Sequence, residues 1–214
     1  MTSVRTRGLT LRRGGTTVLE GVDLELPSGL YALVGPNGSG KSTLLRALAG
    51  VLSPAAGTVE IDGHDLWREP VAARHQLGYL PESPELFAYL TPRELLRTAN
   101  AVRGVAPEAG QEQFGRWVRP EALDLRIGSL SAGQRRKLAL VAATCHEPPV
   151  LLLDEPGNTL DASARADLGQ WLCRWKDEGR LVIVSTHRPD GLGAALDGQL
   201  AVGDRGVALS LSGA

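Results

Sequence analysis

The sequence predicts an α/β fold with a mixed, mostly parallel sheet, an N-terminal antiparallel β part and an inserted helical lobe. Short apolar runs at residues 30–34, 150–153 and 181–184 are typical of buried parallel strands. The first run leads through a glycine-rich loop into a helix-forming segment. Helical patterns then predominate over residues 83–145, so we expect a lobe inserted into the α/β core.

The composition suits one folded domain, which we predict to cover residues 1–214 together with the lobe. The net charge of −1, from 23 basic and 24 acidic residues, gives no electrostatic case for a nucleic-acid partner or a polybasic membrane anchor. No apolar run approaches the roughly 18 residues of a membrane helix. Cys145 and Cys173 lack metal-site spacing and are interpreted as reduced thiols packed in helices of a cytosolic protein.

Strand and helix signals alternate in the first part of the chain. Apolar residues alternate from Val18 to Leu26 and predict a strand that ends at Pro27. The elements expected next are a buried strand over 30–34, a helix over 44–49, a strand over 58–61 before a turn at Asp62-Gly63, and a strand over 77–80.

The lobe has one well-marked helix start. Thr91 can cap the helix, Pro92 suits its first turn, and Glu94 completes a capping box. The apolar face of this helix is predicted to carry Leu95, Leu96, Ala99 and Val102.

The core is predicted to resume after the lobe with a buried strand over 150–153. A helix follows, and its apolar stripe is interpreted as core; the stripe contains Leu168, Trp171, Leu172 and Trp175. A buried strand over 181–184 and one or two short strands over 200–211 complete the expected elements.

Residues 35–42 match the pattern G-x-x-x-x-G-K-[ST] between a strand and a helix, which predicts a phosphate-binding loop and a P-loop NTPase core. Glycines let the backbone wrap around an anion, and the positive end of the following helix favours it. Lys41 is expected to reach the β- and γ-phosphates, and the Ser42 hydroxyl is placed for Mg²⁺. The nucleotide-binding residues predicted here are Gly35, Pro36, Asn37, Gly38, Ser39, Gly40, Lys41, Ser42 and Thr43.

Two carboxylates follow the strand at 150–153. In open α/β sheets, ligands bind outside the carboxyl ends of the strands. Asp154 is therefore expected to support Mg²⁺, and Glu155 to orient and deprotonate the attacking water. His187 follows the next strand and is expected to hydrogen-bond the γ-phosphate.

Five segments in this order resemble the ATP-binding subunits of ABC transporters from about residue 4 to 205. They are 35–43, Tyr-Leu-Pro-Glu at 79–82, Leu-Ser-Ala-Gly-Gln at 130–134, 151–155 and Thr-His at 186–187. The Leu-Ser-x-Gly-Gln segment is the most discriminating, because other phosphate-loop enzymes lack it.

The resemblance implies a head-to-tail dimer of nucleotide-binding subunits, homo- or heterodimeric, with two ATP molecules between them. Residues 130–134 then form the signature segment, whose Ser131, Gly133 and Gln134 contact the partner's ATP. Asp161 belongs to the interface loop at 157–161, and His187 is the switch histidine. Hydrolysis would loosen the dimer and drive a separate transmembrane permease, which places the chain in the cytoplasm on the inner face of the membrane.

Three positions depart from the family pattern. Arg13 stands where an aromatic residue usually stacks on adenine; a guanidinium can also stack on a base. Glu82, which replaces a frequent glutamine, can still contact Mg²⁺ or water, and the Tyr-Leu-Pro-Glu segment is familiar in the branch that exports drugs, lipids or peptides. Ala132 replaces the first signature glycine, a mild change at a helix start.

The resemblance favours the energy-coupling ATPase of an exporter. The alternatives are a soluble ABC-type ATPase acting on a protein assembly, such as iron–sulfur scaffold machinery, and a non-hydrolysing nucleotide-dependent clamp. In the transporter interpretation, apolar residues of segment 83–96 either receive the permease or pack inside the lobe; they are Pro84, Leu86, Phe87, Tyr89 and Leu90.

Overall fold

The computed structural model describes residues 2–192 and 195–212, which form two compact units. The first contains the described parts of Met1–Glu82, Pro148–Gly157 and Ala162–Ala214. The second contains Ser83–Glu147 and Asn158–Asp161. The predicted fold class is confirmed, with two sheets in the first unit and helices in the second. The assignment of residues 1–214 to a single domain stays a prediction.

A four-stranded antiparallel sheet forms the N-terminal β part, in the order β2-β1-β4-β5. Its strands are β1 (Ser3–Arg13), β2 (Thr16–Pro27), β4 (Ala56–Ile61) and β5 (His64–Asp65). The sequence pattern did not predict β1, because polar residues dominate this strand. Only one of its faces is buried, through Val4, Leu9 and Leu11.

A six-stranded sheet lies at the centre of the first unit, in the order β10-β9-β3-β8-β7-β6. Its strands are β3 (Gly29–Val34), β6 (Leu77–Leu80), β7 (Val150–Asp154), β8 (Leu181–Ser185), β9 (Gly198–Gly203) and β10 (Gly206–Leu211). All pairings are parallel except that of β10 with β9. The predicted buried strands are confirmed, and the carboxyl ends of β3, β8 and β7 lie side by side.

Among the described residues, the α-helices of the first unit are α1 (Lys41–Leu48), α2 (Pro70–His75) and α6 (Ala162–Asp177). Along α6, Leu168, Trp171, Leu172 and Trp175 are each at most 7% exposed. The ring centres of Trp171 and Trp175 lie 4.6 Å apart, and the Arg180 guanidinium carbon lies 4.3 Å from the Trp175 ring centre. The interpretation of these tryptophans as core residues is confirmed.

The second unit contains α3 (Pro92–Arg103), α4 (Gln111–Trp117) and α5 (Ala132–Thr144). The predicted capping box is confirmed: the Glu94 amide donates to the Thr91 hydroxyl, and the Glu94 carboxylate accepts from the Thr91 amide. The predicted apolar face of α3 is wrong at Val102, which is 74% exposed.

Asn100 takes the inward position on α3 and is fully buried. Its Nδ2 donates to the carbonyl oxygens of Pro107 and Ala109, which fixes the loop after the helix. The Sγ of Cys145 lies 2.9 Å from the Asn100 Oδ1. These polar contacts orient α3, and a hydrophobicity pattern does not register them.

Both cysteines are free thiols and half-buried. Cys173 lies in α6, which confirms its interpretation as a helix-packed thiol. Cys145 is the C-cap residue that directly follows α5. Burial raises the pKa of the Cys145 thiol. In the part of the chain that the structure describes, no helix combines the length and apolarity needed to cross a membrane.

Candidate active site

The loop after β3 packs closely against strands β9 and β2. Gly35 has a φ of +150°, and a Cβ there would lie 2.4 Å from the carbonyl oxygen of Val202 in β9. Gly40 has a φ of +112°, and a Cβ there would lie 2.8 Å from the Cγ1 of Val18 in β2. Both positions therefore require glycine, for conformation and for space.

Gly35→Ala is expected to lower the free energy of unfolding by about 2–5 kcal/mol, from backbone strain and overpacking together. Gly38→Ala is the matched control in the same loop. Gly38 also has a positive φ of +81°, but nothing lies within 4 Å of its Cβ position. The control should lose only about 1–2 kcal/mol. Urea denaturation measures both, and equal losses would contradict the close approach to Val202.

Lys41 begins α1 and is 8% exposed. Its Nζ donates to the carbonyl oxygens of Gly35 and Pro36, at 2.8 Å and 3.1 Å. The Ser39 amide also donates to the Pro36 carbonyl, at 3.2 Å. The first amides of a helix have no intrahelical acceptor, so an anion at this loop meets both those amides and an ammonium.

The acidic pair is held by a serine on the neighbouring strand. Asp154 ends β7 opposite Ser185 of β8, and these residues are 1% and 0% exposed. The Ser185 hydroxyl donates to the Asp154 Oδ1 at 2.6 Å and accepts from the Glu155 amide at 2.8 Å. Glu155 has a φ of +48°, an uncommon conformation for a residue with a side chain.

Glu155 and His187 are in contact, with 3.2 Å between the Oε1 and the Nε2. The Glu155 side chain is 12% exposed. Burial raises the pKa of the Glu155 carboxyl, and the charges of Asp154 and Glu82 add to this. The charges of His187 and Lys41 oppose it. A raised pKa makes the ionised carboxylate a stronger base, which suits proton abstraction.

These groups line one open cavity of about 420 Å³ in the first unit. Its lining residues are Arg13, Val18, Asn37, Gly38, Gly40, Lys41, Ser42, Thr43, Glu82, Asp154, Glu155 and His187. Val18 was predicted only as a strand residue, and Ser185 was given no role, because a lone apolar residue and a buried serine carry no signal of function in a sequence. Gly35, Pro36 and Ser39 were also predicted to bind nucleotide and belong to the phosphate-binding loop, but they are not among the residues that line the cavity.

The remaining predicted site residues, Ser131, Gly133, Gln134 and Asp161, belong to the second unit. Ser131 caps α5: its hydroxyl accepts from the Gln134 amide, and the Gln134 side chain accepts from the Ser131 amide. A Cβ on Gly133 would lie 3.1 Å from the Thr159 carbonyl oxygen. The helix start is thus preorganised and exposed at Ser131.

Comparison with curated proteins gives relatives among ATP-binding proteins. The chain is 40% identical over 176 residues to the sulfate/thiosulfate import ATP-binding protein CysA of Synechocystis sp., covering 80% of this chain and 49% of the relative. It is 37% identical over 160 residues to the uncharacterized ABC transporter ATP-binding protein YxlF of Bacillus subtilis, covering 73% and 52%. The chain therefore spans about half the length of these curated relatives.

Solved structures show the same fold. The ATP-binding subunit of an ABC transporter matches with a TM-score of 0.88 and 30% identity, over 98% of this chain and 90% of that one. A bacterial Atm1-family ABC exporter with ATP bound matches with a TM-score of 0.83 and 26% identity, over 97% and 38%. The ABC transporter family model matches residues 19–158. The resemblance inferred from the five segments is thus confirmed, and the chain belongs to the ABC transporter family as an ATP-binding domain.

Proposed function

We propose that the chain binds ATP with Mg²⁺ in the cavity of the first unit, hydrolyses it, and drives transport through a separate membrane permease. One observation carries the proposal: the phosphate-binding loop with Lys41, the carboxylates Asp154 and Glu155, and His187 all line the same cavity.

The lining of the cavity suits a nucleoside triphosphate. The Lys41 ammonium donates to the neutral carbonyl oxygens of Gly35 and Pro36, and a charged phosphate is a stronger acceptor. The amides of the loop and of the first turn of α1 would bind the remaining phosphate oxygens. Arg13 is exposed at the edge of the cavity, where its guanidinium would stack on adenine.

Mg²⁺ fits the oxygen donors of the cavity. Ser42, Glu82 and Asp154 would hold it, Asp154 through water. Among residues 2–192 and 195–212, no three His, Cys, Asp or Glu side chains cluster as a metal cage. A sparse ligand set suits Mg²⁺, which usually keeps several waters and binds substrate phosphates. When bound, the ion would neutralise charge on the phosphates.

Glu155 would act as the general base for hydrolysis. A water oxygen forms the bond to the γ-phosphorus while its proton passes to the Glu155 carboxylate, and the bond to the bridging oxygen breaks to release ADP. His187, in contact with Glu155, would donate a hydrogen bond to the γ-phosphate. The loop amides and Lys41 would stabilise the charge on the transferred group.

The second unit would contact the ATP held by another subunit in a head-to-tail dimer. The exposed start of α5 supports this, because helix N-termini with a hydroxyl bind phosphate. In this arrangement Ser131, Gly133 and Gln134 complete the partner's site, and Asp161 lies at the interface. The partner would be a second copy or a related subunit.

The same unit offers a surface for the permease. Phe87 and Tyr89 are 58% and 66% exposed, with ring centres 5.8 Å apart. Leu86 and Leu90 instead pack against the core of the unit. The two interpretations of segment 83–96 therefore apply to different residues: the leucines pack inside, and the aromatic pair supports docking. Docking would hold the chain on the cytoplasmic face of the membrane.

The predicted direction of transport, export, rests only on the Tyr-Leu-Pro-Glu segment at 79–82. The comparison with known proteins does not support export. CysA, at 40% identity, is an import protein by name, whereas the Atm1-family exporter structure is 26% identical. Our proposal therefore covers transport in either direction.

Recovery of a membrane protein with this chain from detergent-solubilised membranes would distinguish a transport ATPase from the alternative of a soluble ATPase that acts on a protein assembly.

Ser131→Ala, compared with Thr91→Ala, tests the composite site. Each change removes one capping box from the second unit and should cost about 1 kcal/mol of stability. Only Ser131→Ala should lower ATP turnover and ATP-dependent dimerisation, measured by phosphate release and light scattering. Equal turnover losses in both variants, or none in Ser131→Ala, would contradict a phosphate contact by Ser131.

A further inference from the structure

We infer that Ser185 is a positioning residue for hydrolysis, which sets the geometry of both carboxylates of the cavity; this rests on the proposed function. Ser185 ends β8 and is fully buried, so it does not line the cavity itself. It acts through Asp154 and Glu155, with which its hydroxyl forms two hydrogen bonds.

The direction of both hydrogen bonds is fixed by chemistry. The Glu155 amide can only donate, so the Ser185 Oγ accepts from it at 2.8 Å. The single hydroxyl proton of Ser185 is then directed to the Asp154 Oδ1 at 2.6 Å. A donor held in this direction fixes the plane of the Asp154 carboxylate.

The same hydroxyl stabilises an unfavourable backbone. Glu155 has a φ of +48°, which is an energetically unfavourable conformation for a residue with a side chain. The hydrogen bond from its amide to Ser185 offsets part of this cost. The side chain of Glu155 leaves the backbone from that position, so its contact with His187 at 3.2 Å depends on the same conformation.

Strand β8 also places His187, two residues after Ser185. The Thr186 amide donates to the Leu33 carbonyl of β3 at 3.2 Å, and the Arg188 amide donates to the Thr186 hydroxyl at 3.1 Å. Ser185 thus joins the strand that carries the histidine to the strand that carries the carboxylates. A methyl group in its place would keep the volume nearly unchanged and remove only this connection.

The test compares Ser185→Ala with the wild type. We expect kcat to fall by about 10- to 100-fold, as for other groups that orient metal-associated ligands. ATP affinity in EDTA, measured by calorimetry, should stay within about twofold, since the residues that hold the phosphates are unchanged. The strengthening of ATP binding by Mg²⁺ should be reduced in the same measurement. Ser185→Thr, which keeps the hydroxyl, should restore both.

Thr6→Val is the matched control. Thr6 is 2% exposed in β1, and its hydroxyl donates to the Val22 carbonyl and accepts from the Leu24 amide. This variant also loses a buried hydroxyl with two hydrogen bonds, but it should keep wild-type kcat. Wild-type kcat and Mg²⁺ response in Ser185→Ala, or an equal loss in Thr6→Val, would overturn the inference. Absence of hydrolysis by the wild type would overturn the proposed function instead, and the Mg²⁺ titration would still test Ser185.

Discussion

Replacing Glu155 by glutamine should reduce steady-state ATP hydrolysis by about 10²- to 10⁴-fold, the usual contribution of a general base. Glutamine has nearly the same shape, but its amide cannot take a proton from water. The carboxylate is suited to that role because it lies in the cavity with Lys41 and because burial raises its pKa. Phosphate release under saturating ATP and Mg²⁺ measures the effect.

The variant should still bind ATP, since Lys41 and the loop are unchanged. A subunit that binds but does not hydrolyse ATP should stay dimeric in its presence, so light scattering is expected to show a doubled mass. Glu20→Gln, an exposed change on β2 of the same unit, is the control and should keep wild-type turnover. Wild-type turnover in Glu155→Gln would refute its assignment as the base.

Lys41→Ala should weaken ATP binding by about 10- to 100-fold, the loss expected for one or two hydrogen bonds to a charged group. Calorimetry in the presence and absence of Mg²⁺ measures it. Part of the loss comes from the loop, because the Nζ of Lys41 also holds the carbonyls of Gly35 and Pro36.

Lys176→Ala is the control for the loss of a lysine. The Lys176 Nζ donates to the Ala195 carbonyl and pairs with the Asp197 carboxylate. Lys176 does not line the cavity. We expect unchanged ATP affinity in this variant. If Lys41→Ala bound ATP as tightly as the wild type, the phosphate-loop assignment would be wrong.

The loop and the acidic pair could be predicted from sequence because their chemistry depends on adjacent residues. The spacing from Gly35 to Ser42 encodes a turn, an ammonium and a helix start within eight positions. Likewise, Asp154 and Glu155 directly follow an apolar run, which predicted the end of a buried strand. These local patterns place the groups on elements whose ends meet at one edge of the sheet.

Contacts between distant segments could not be predicted. Ser185 and Asp154 are 31 positions apart and meet only because β8 pairs with β7 in a particular register. The prediction that Val102 is buried was wrong for a similar reason. The hydrogen bonds of Asn100 to the following loop decide which face of α3 is buried. A single sequence shows neither strand register nor the partners of a buried amide.

The most direct test is a crystal structure of Glu155→Gln with ATP and Mg²⁺. We predict the triphosphate in the cavity of the first unit, with Lys41 within hydrogen-bond distance of its phosphate oxygens and the ion beside Ser42 and Asp154. Nucleotide bound elsewhere on the protein, or a triphosphate that contacts neither Lys41 nor the loop amides, would contradict the account.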